Sequence, residues 1–301
     1  MEADFPAEGL AAVAAERFSG LEIAKPSRTA LGVAIRRAAH QVYDSRPLVL
    51  DDPIAVPILG ERYRPPLEEA AASIHERFSV SLRAWVVVRN RLAEDNLAQA
   101  VHYSVRQYVL LGAGLDTFAH RNPHPGLRVF EVDHPATQQW KRELALSNGL
   151  PEPSCLHYVP VDFESQELAQ QLAICGLDFA VPTLFAWLGV VLYLTRPAFR
   201  TTLDLIARFP EGSGVIFDYA LPRQALASHE LEARDALSAR VQSIGEPFQL
   251  FFTREEIKSE LAQFQRVEDL DAKELNARYF ANRTDRLNLL GRSANIVSAW
   301  R

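Results

Sequence analysis

The segment YVLLGAGLDTFAHR, residues 108 to 121, places two glycines directly after an apolar run. One alanine separates Gly112 from Gly114, and Asp116 follows two residues later. Glycine lets a backbone turn tightly and approach a ligand closely, so this pattern between a strand and a helix is compatible with a small-molecule site and equally with a plain tight turn. Thr117 breaks the G-x-G-x-x-G dinucleotide pattern, and no Gly-Lys-Ser/Thr follows to form a phosphate loop.

Carboxylates follow at the ends of the next two apolar runs. RVFEVDHP carries Glu131 and Asp133, 19 and 21 residues after Gly112, where a ribose can donate its hydroxyls to a carboxylate. The third run ends in VPVDFE, where the Asp162 carboxylate can accept from an adenine amino group and Phe163 can lie on the ring face. A glycine turn, a ribose acceptor and an adenine acceptor without a phosphate anchor predict S-adenosylmethionine as the cofactor.

These groups meet only if their strands lie side by side in one sheet. Short apolar runs alternate with helical stretches from residue 108 onward, which is typical of an α/β fold with a parallel sheet covered on both faces. Such sheets bind ligands at the carboxyl ends of their strands. The five runs are Tyr108–Gly112, Leu127–Asp133, Tyr158–Val161, Pro182–Gly189 and Gly214–Tyr219. In the tail, FQRVEDL and SANIVSAWR predict a final hairpin-like pair of strands.

The first third of the chain has a different character. RTALGVAIRRAAHQVYD and SLRAWVVVRNRLAEDNLAQAV both have the periodicity of amphipathic helices. We therefore expect residues 1–106 to form an N-terminal helical cap and residues 107–301 to form the cofactor-binding core.

Composition excludes several classes of function. The chain of 301 residues has a net charge of −6, so no basic surplus attracts nucleic acid or anionic lipid. The longest apolar stretch, residues 179–195, is short for a membrane span. Cys155 and Cys175 form no C-x-x-C pair, and no metal-ligand spacing stands out. With no basic start to the N-terminus, these features predict a soluble cytoplasmic protein that acts on a small molecule. They indicate no oligomeric state.

Four motifs in order, LLGAGLDT, FEVDHP…WK, PVDFE and FAWLGVVLYLT, resemble the leucine carboxyl methyltransferase family. The family includes phosphatase-directed carboxyl methyltransferases, bacterial methyltransferases and polyketide carboxyl methyltransferases. The resemblance runs from Ser27 to the final ANIVSAW. It implies a class I methyltransferase fold, with a Rossmann-like, mostly parallel sheet, an antiparallel last strand and a helical cap over the pocket.

The resemblance also implies roles for individual residues. Gly112 and Gly114 would lie beside the methionine part of the cofactor, and Asp133 would hold the ribose, with His134 at its border. Asp162 and Phe163 would line the adenine.

In the cap, Arg89 of VVVRNR matches the family arginine near the cofactor and substrate carboxylates, with Arg91 as the alternative alignment. Arg28 or Arg37 matches a second basic position. Leu188 is a departure, because the phosphatase-directed enzymes have a glutamate there, near the cofactor. This argues against phosphatase tails as substrates and fits the bacterial branch of the family.

Direct methyl transfer needs alignment of the reacting groups and exclusion of water. A carboxylate acceptor is already ionised at pH 7 and needs only an orienting arginine, whereas an alcohol needs a base. We predict O-methylation of a small-molecule carboxylate. A hydroxyl acceptor and a catalytically inactive nucleoside-binding scaffold stay open as alternatives, whereas Thr117 argues against a nicotinamide-dependent oxidoreductase.

Other polar side chains near the predicted strand ends have two interpretations each. Tyr193 and Tyr219 follow the fourth and fifth strands, where each could donate to substrate or cofactor or be a core aromatic. His134 is expected to have a structural or adenosine-edge role rather than that of a base. Trp85 and Trp187 could wall the pocket, although tryptophan is more often simply core.

Overall fold

The computed structural model describes residues 27–161, 167–243 and 245–301. Within them the chain forms a seven-stranded sheet with the spatial order β3-β2-β1-β4-β5-β7-β6. The strands are β1 (Gln107–Leu111), β2 (Arg128–Asp133), β3 (Leu156–Pro160), β4 (Thr183–Trp187), β5 (Gly214–Ala220), β6 (Arg266–Leu270) and β7 (Ala294–Trp300).

Strands β1 to β5 run parallel to one another, and β7 is antiparallel to both of its neighbours. The predicted α/β class and antiparallel last strand are confirmed. The last two strands are adjacent as expected, but a helix and an irregular stretch separate them in sequence, and β7 lies between β5 and β6. Strands β1, β2 and β3 follow one another toward one edge of the sheet, whereas β4 and β5 lie on the other side of β1, so the strand order reverses between β1 and β4. In α/β sheets this reversal opens a crevice at the carboxyl ends of the strands, where ligands bind.

Helices precede the sheet and alternate with its parallel strands. They are α1 (Arg28–Tyr43), α2 (Arg64–Ala72), α3 (Arg77–Tyr103), α4 (Phe118–Arg121), α5 (Pro135–Ser147), α6 (Leu168–Ile174), α7 (Arg196–Ile206), α8 (Ser228–Ser243), α9 (Arg254–Glu260) and α10 (Ala272–Tyr279). Several begin at side-chain caps that satisfy free backbone N–H groups. Ser27 accepts from Ala30 N at the start of α1, and Thr253 with Glu256 forms a capping box on α9.

Alternating strand residues divide the core into two layers. Leu110, Leu184 and Ile216 pack with α3 on one face of the sheet, whereas Phe185 and Phe217 pack with α7 on the other. Each fully buried aliphatic or aromatic side chain stabilises the fold by about 1.5–3 kcal/mol. The strands are therefore apolar on both faces, as expected for a covered parallel sheet.

A third apolar cluster joins the N-terminal helices to the rest of the molecule. Ala34 and Ala38 of α1 and Ile58 pack with Leu115, which follows the glycine turn, and with Leu144 of α5. This cluster places α1 next to the carboxyl ends of β1 and β2. Among the described residues, no helix is both long and apolar enough to cross a membrane.

Candidate active site

The glycine turn connects β1 to α4 through two positive-φ residues. Gly112 has a φ of +70° and donates its N–H to Val132 O at 2.8 Å, which fixes the turn against β2. A Cβ at Gly112 would collide with the Val190 side chain. Gly114, at φ +53°, aims its N–H at the Asp133 carboxylate. Only glycine fits the Gly112 position, because an L side chain there meets both backbone strain and a clash.

Asp133 ends β2 with its carboxylate held by backbone donors. Oδ2 accepts from Gly114 N at 2.6 Å, and Oδ1 accepts from His134 N at 2.7 Å. Burial raises the pKa of Asp133, while those two bonds and nearby Lys141 oppose the rise. Each carboxylate oxygen has two lone-pair positions, so, counting donors in the described part of the chain, one on each oxygen remains for the two hydroxyls of a ribose. The residues present therefore fit the ribose of a nucleoside.

His134 is the N-cap of α5. Its Nδ1 accepts from Ala136 N at 3.2 Å, so the lone pair of that nitrogen is occupied by a structural bond. The ring stays beside Asp133, as the sequence predicts, and its Nδ1 is not available as a base. Asp162 and Phe163, the predicted adenine contacts, lie outside the described residues. They follow Val161, whose N–H donates to Asp133 O at 2.9 Å.

A second polar cluster surrounds Arg89 of α3, whose residue is only 8 % exposed. Its Nη1 lies 3.3 Å from Asp218 Oδ2 on β5, and its Nε is buried with no hydrogen-bond partner among the described residues. Asp218 also accepts from Trp85 Nε1 at 3.2 Å and from Gly189 N. Asp218 is therefore well supplied with donors, whereas Arg89 has N–H groups left over.

The neighbouring arginines have other surroundings. Arg91 is exposed, pairs with Asp95 at 2.7 Å and donates to Val49 O, so Arg89 is the one that faces inward. Arg28 is exposed. Arg37 is 2 % exposed, pairs with Asp52 at 2.9 Å and donates to Leu115 O beside the glycine turn.

Arg37 belongs to a buried network beneath the glycine turn. Asp52 accepts from Thr117 Oγ1 at 2.5 Å and lies 3.2 Å from Arg121 Nε, and Arg121 in turn binds Glu94 with two nitrogens. Asp116 Oδ1 accepts from Phe118 N, the first residue of α4, and Asp116 Oδ2 accepts from Asn90 Nδ2 at 3.1 Å. Neither Asp52 nor Glu94 was predicted from the sequence. The DDP sequence at 51–53 marks a turn but carries no sign of an ion pair with a distant helix.

Tyr193 lies in a 3-10 turn after β4, beside Thr29 of α1 and Glu246. Burial raises the pKa of Tyr193 to about 12, and the Glu246 carboxylate adds to the rise. Thr29 donates to Glu246, so α1 and the segment after α8 meet at this tyrosine. Arg89 and Asp218 are near enough to influence the phenol electrostatically. Thr29 and Glu246 were not predicted from the sequence, because no motif surrounds either residue.

The structure does not bring Tyr219 to this cluster. Successive side chains of a strand point to opposite faces of the sheet. Asp218 therefore lies on the α3 face, whereas Tyr219 packs in the core layer on the other face. Its hydroxyl donates to Asp269 Oδ2 at 2.9 Å and accepts from Asn295 Nδ2 at 3.1 Å. Trp187 is core, stacked on Phe199 with ring centroids 5.5 Å apart.

Leu188 is half-buried against the α3 layer, next to Gly189. Among the described residues no group of three or more histidine, cysteine or acidic side chains is placed to hold a metal ion.

Comparison with known proteins shows the family of this chain. The leucine carboxyl methyltransferase family model matches residues 30–207. YktD of Bacillus subtilis, named as a candidate S-adenosyl-L-methionine-dependent methyltransferase, is 32% identical over 287 residues, which are 87% of this chain and 94% of YktD. A protein of the same description from Saccharopolyspora erythraea is 36% identical over 217 residues, which are 68% of this chain and 71% of that protein.

Solved structures share the fold at lower identity. The structure of a candidate methyltransferase from Thermobifida fusca superposes with a TM-score of 0.57 at 17% identity, covering 94% of this chain and 97% of that one. A DUF574 family protein from Streptomyces avermitilis gives a TM-score of 0.51 at 19% identity, covering 81% and 94% of the two chains.

The order of the sheet and its antiparallel β7 are those of the class I methyltransferase fold. The chain belongs to the leucine carboxyl methyltransferase family. It is an S-adenosylmethionine-dependent methyltransferase, as the sequence motifs predict.

Proposed function

We propose that this enzyme transfers the methyl group of S-adenosylmethionine to a carboxylate oxygen of a small molecule. The observation that carries the proposal is Arg89. Its guanidinium is buried beside the strand ends, has one ion pair at 3.3 Å and keeps Nε without a partner among the described residues. A buried donor without an acceptor is costly, and a carboxylate is the group whose geometry an arginine matches in bidentate fashion.

The cofactor site in this proposal follows the strand ends. Asp133 holds the ribose, with His134 at its edge, and the backbone of Gly112 and Gly114 gives the methionine part a close approach. Leu188 contributes an apolar contact. Asp162 and Phe163 are proposed for the adenine because they follow Val161 directly. The helices before residue 107 would act as the cap over the core of residues 107–301.

Bound S-adenosylmethionine supplies a methyl carbon activated by its sulfonium. The chain's own task is to orient and to exclude water. Arg89, held by Asp218, would orient the acceptor so that one carboxylate oxygen forms the bond to the methyl carbon while the carbon–sulfur bond breaks. The acceptor is already ionised at neutral pH, so no proton is transferred and no base is needed. Tyr193, protonated at neutral pH, can donate to the second carboxylate oxygen.

A hydroxyl acceptor is the second candidate, and Glu246 is the observation that favours it. Its carboxylate lies beside Tyr193 and could take a proton from an alcohol or phenol. Carboxylate and hydroxyl acceptors give chemically different products. A methyl ester releases methanol in mild alkali, whereas a methyl ether does not.

The test uses methyl-tritiated S-adenosylmethionine and parallel panels of small carboxylic acids, phenols and alcohols. Products are treated with alkali, and volatile tritiated methanol is counted. We expect turnover only with carboxylic acids, all of it alkali-labile. Arg89→Met should lower kcat/KM about 100-fold or more, whereas Arg91→Met, an exposed arginine two residues away, should leave it unchanged. Alkali-stable product from a phenol or alcohol would replace this proposal with the second candidate.

A further inference from the structure

Lys141 of α5 is a buried lysine that the proposed chemistry does not use. It is 1 % exposed, and its Nζ forms an ion pair with the Glu131 carboxylate of β2, which is equally buried. Glu131 Oε1 has no hydrogen-bond partner among the described residues. Taking two charges out of water costs several kcal/mol per ion, so such a pair is weak evidence for added stability and invites a functional explanation.

The pair is built into the element that presents Asp133. Glu131 and Asp133 are two residues apart on β2, so their side chains share one face of the strand. Asp133 accepts from the backbone of His134, the residue that caps α5, and Lys141 lies two turns further along that helix. Gln138, between them on α5, donates to Glu131 O at 2.7 Å and to Val159 O at 3.0 Å. These hydrogen bonds join α5 to the ends of β2 and β3.

The Lys141 cation acts on three described carboxylates, those of Asp133, Glu131 and Asp116. Burial raises the pKa of Asp133, and Lys141 opposes that rise. Burial likewise raises the pKa of Glu131 to about 7 against the pull of Lys141, and the same cation helps to lower the pKa of Asp116. Among the described residues, the other charged or titratable groups that act on this set include Arg37, Arg121, Glu94 and Tyr108 near Asp116, His134 near Asp133, His120 near Lys141, and Tyr158 and Glu152 on the β3 side.

We propose that Lys141 is a positioning residue for cofactor binding: its buried ammonium group, paired with Glu131 on the face of β2 that carries Asp133, holds Asp133 as the acceptor for the ribose hydroxyls. An ionised carboxylate offers acceptor positions on both oxygens, whereas protonation of one oxygen turns an acceptor into a donor. A buried carboxylate without a compensating cation takes up a proton more readily. The inference rests on the proposed role of Asp133 at the ribose.

The test measures the affinity for S-adenosylhomocysteine by calorimetry from pH 4.5 to 9. The readout is the midpoint, which is the pH at which the affinity has fallen to half of its plateau value as the pH is lowered. Glu131→Gln is the reference variant, because it breaks the same ion pair but keeps the cation. The double variant Glu131→Gln/Lys141→Met removes the cation without leaving an unpaired buried charge, so it is the variant more suited to fold. Circular dichroism and thermal melting at each pH establish that the variants are folded.

We expect the double variant to lose affinity at a higher pH than Glu131→Gln does, and Glu131→Gln to have a midpoint no higher than that of the natural protein. Restoring the charge with Glu131→Gln/Lys141→Arg should move the midpoint back. A midpoint that is the same with and without the cation would overturn the inference and leave the proposed function intact. Undiminished binding by Asp133→Asn would instead contradict the proposed cofactor site itself.

Discussion

The guanidinium of Arg89 lies directly against the backbone of Gly189. A Cβ built on Gly189 would be 2.5 Å from Nη1 and 2.7 Å from Nη2 of Arg89. Gly189 has a φ of +73° and gives its N–H to Asp218, the carboxylate that pairs with Arg89. The turn after β4 therefore sets the position of Arg89 in two ways. Gly189 has no side chain to displace the guanidinium, and Gly189 and Arg89 both bind the Asp218 carboxylate.

Gly189→Ala should displace Arg89 and lower kcat/KM for methyl transfer at least tenfold. Gly149→Ala is the matched control, because Gly149 has a similar φ of +71° but open space around a Cβ. Both variants should lose about 1–2 kcal/mol of stability from the left-handed backbone. Steady-state kinetics and urea denaturation compare the two. Equal activity in the two variants would show that the contact with Arg89 has no part in catalysis.

Tyr193→Phe should reduce kcat/KM about tenfold, the loss of one hydrogen bond worth about 1.4 kcal/mol, without changing the pH profile between pH 6 and 9. The reason is that the pKa of Tyr193 is raised to about 12, so the hydroxyl stays protonated throughout that range. The check is a series of initial rates at fixed ionic strength. A rising alkaline limb that disappears in the variant would identify Tyr193 as a base instead.

Tyr219→Phe should lower stability and leave methyl transfer unchanged. The hydroxyl joins Asp269 and Asn295 on the far side of the sheet, so its removal leaves buried polar groups short of a partner, at a cost of roughly 1–3 kcal/mol. Tyr103→Phe is the control, since Tyr103 is 83% exposed. Thermal melting and kcat are compared for both variants. A large loss of kcat in Tyr219→Phe with unchanged melting would return this residue to the active site.

Asp285→Asn should destabilise the protein in a pH-dependent way. Burial alone would raise the pKa of Asp285, but hydrogen bonds from Arg283 and from the N–H groups of Ser45 and Leu287 lower it to about 2. A carboxyl whose folded pKa lies below its unfolded value of 3.8 stabilises the fold above about pH 4 and loses that contribution as pH falls toward 2.

We therefore expect Asp285→Asn to cost roughly 1–2 kcal/mol at pH 7 and progressively less below pH 4. Urea denaturation at pH 7, 4 and 3 measures the difference, with the exposed Glu211→Gln as control. A difference that stays constant from pH 7 to pH 3 would contradict the assigned cause.

Strand periodicity was sufficient to predict a mainly parallel α/β sheet, and the spacing of local motifs was sufficient to place the glycine turn and Asp133 at the ends of successive strands. The glycine turn and the carboxylate at the next strand end are each encoded within a few residues, and parallel pairing of β1 and β2 brings them together. The same reasoning did not show whether Tyr219 lies in the active site or in the core. A position at a strand end does not reveal which face of the sheet the side chain occupies until the register of β5 is known.

Contacts between segments far apart in the chain were not predictable. Thr29 and Glu246 are 217 residues apart, and the network of Asp52 with Arg37 and Arg121 joins the N-terminal helices to the glycine turn. Single acidic residues in turns give no signal of a distant arginine. The division at residue 106 stays a prediction.

The most direct test of the account is calorimetric binding of S-adenosylhomocysteine to the natural protein and to Asp133→Asn, with Asp204→Asn as an exposed control. The account predicts binding to the natural protein and to Asp204→Asn, and a loss of at least tenfold in affinity for Asp133→Asn at pH 7.5, because the amide nitrogen cannot accept from a ribose hydroxyl. Equal affinity in all three proteins would place the nucleoside elsewhere and contradict the site.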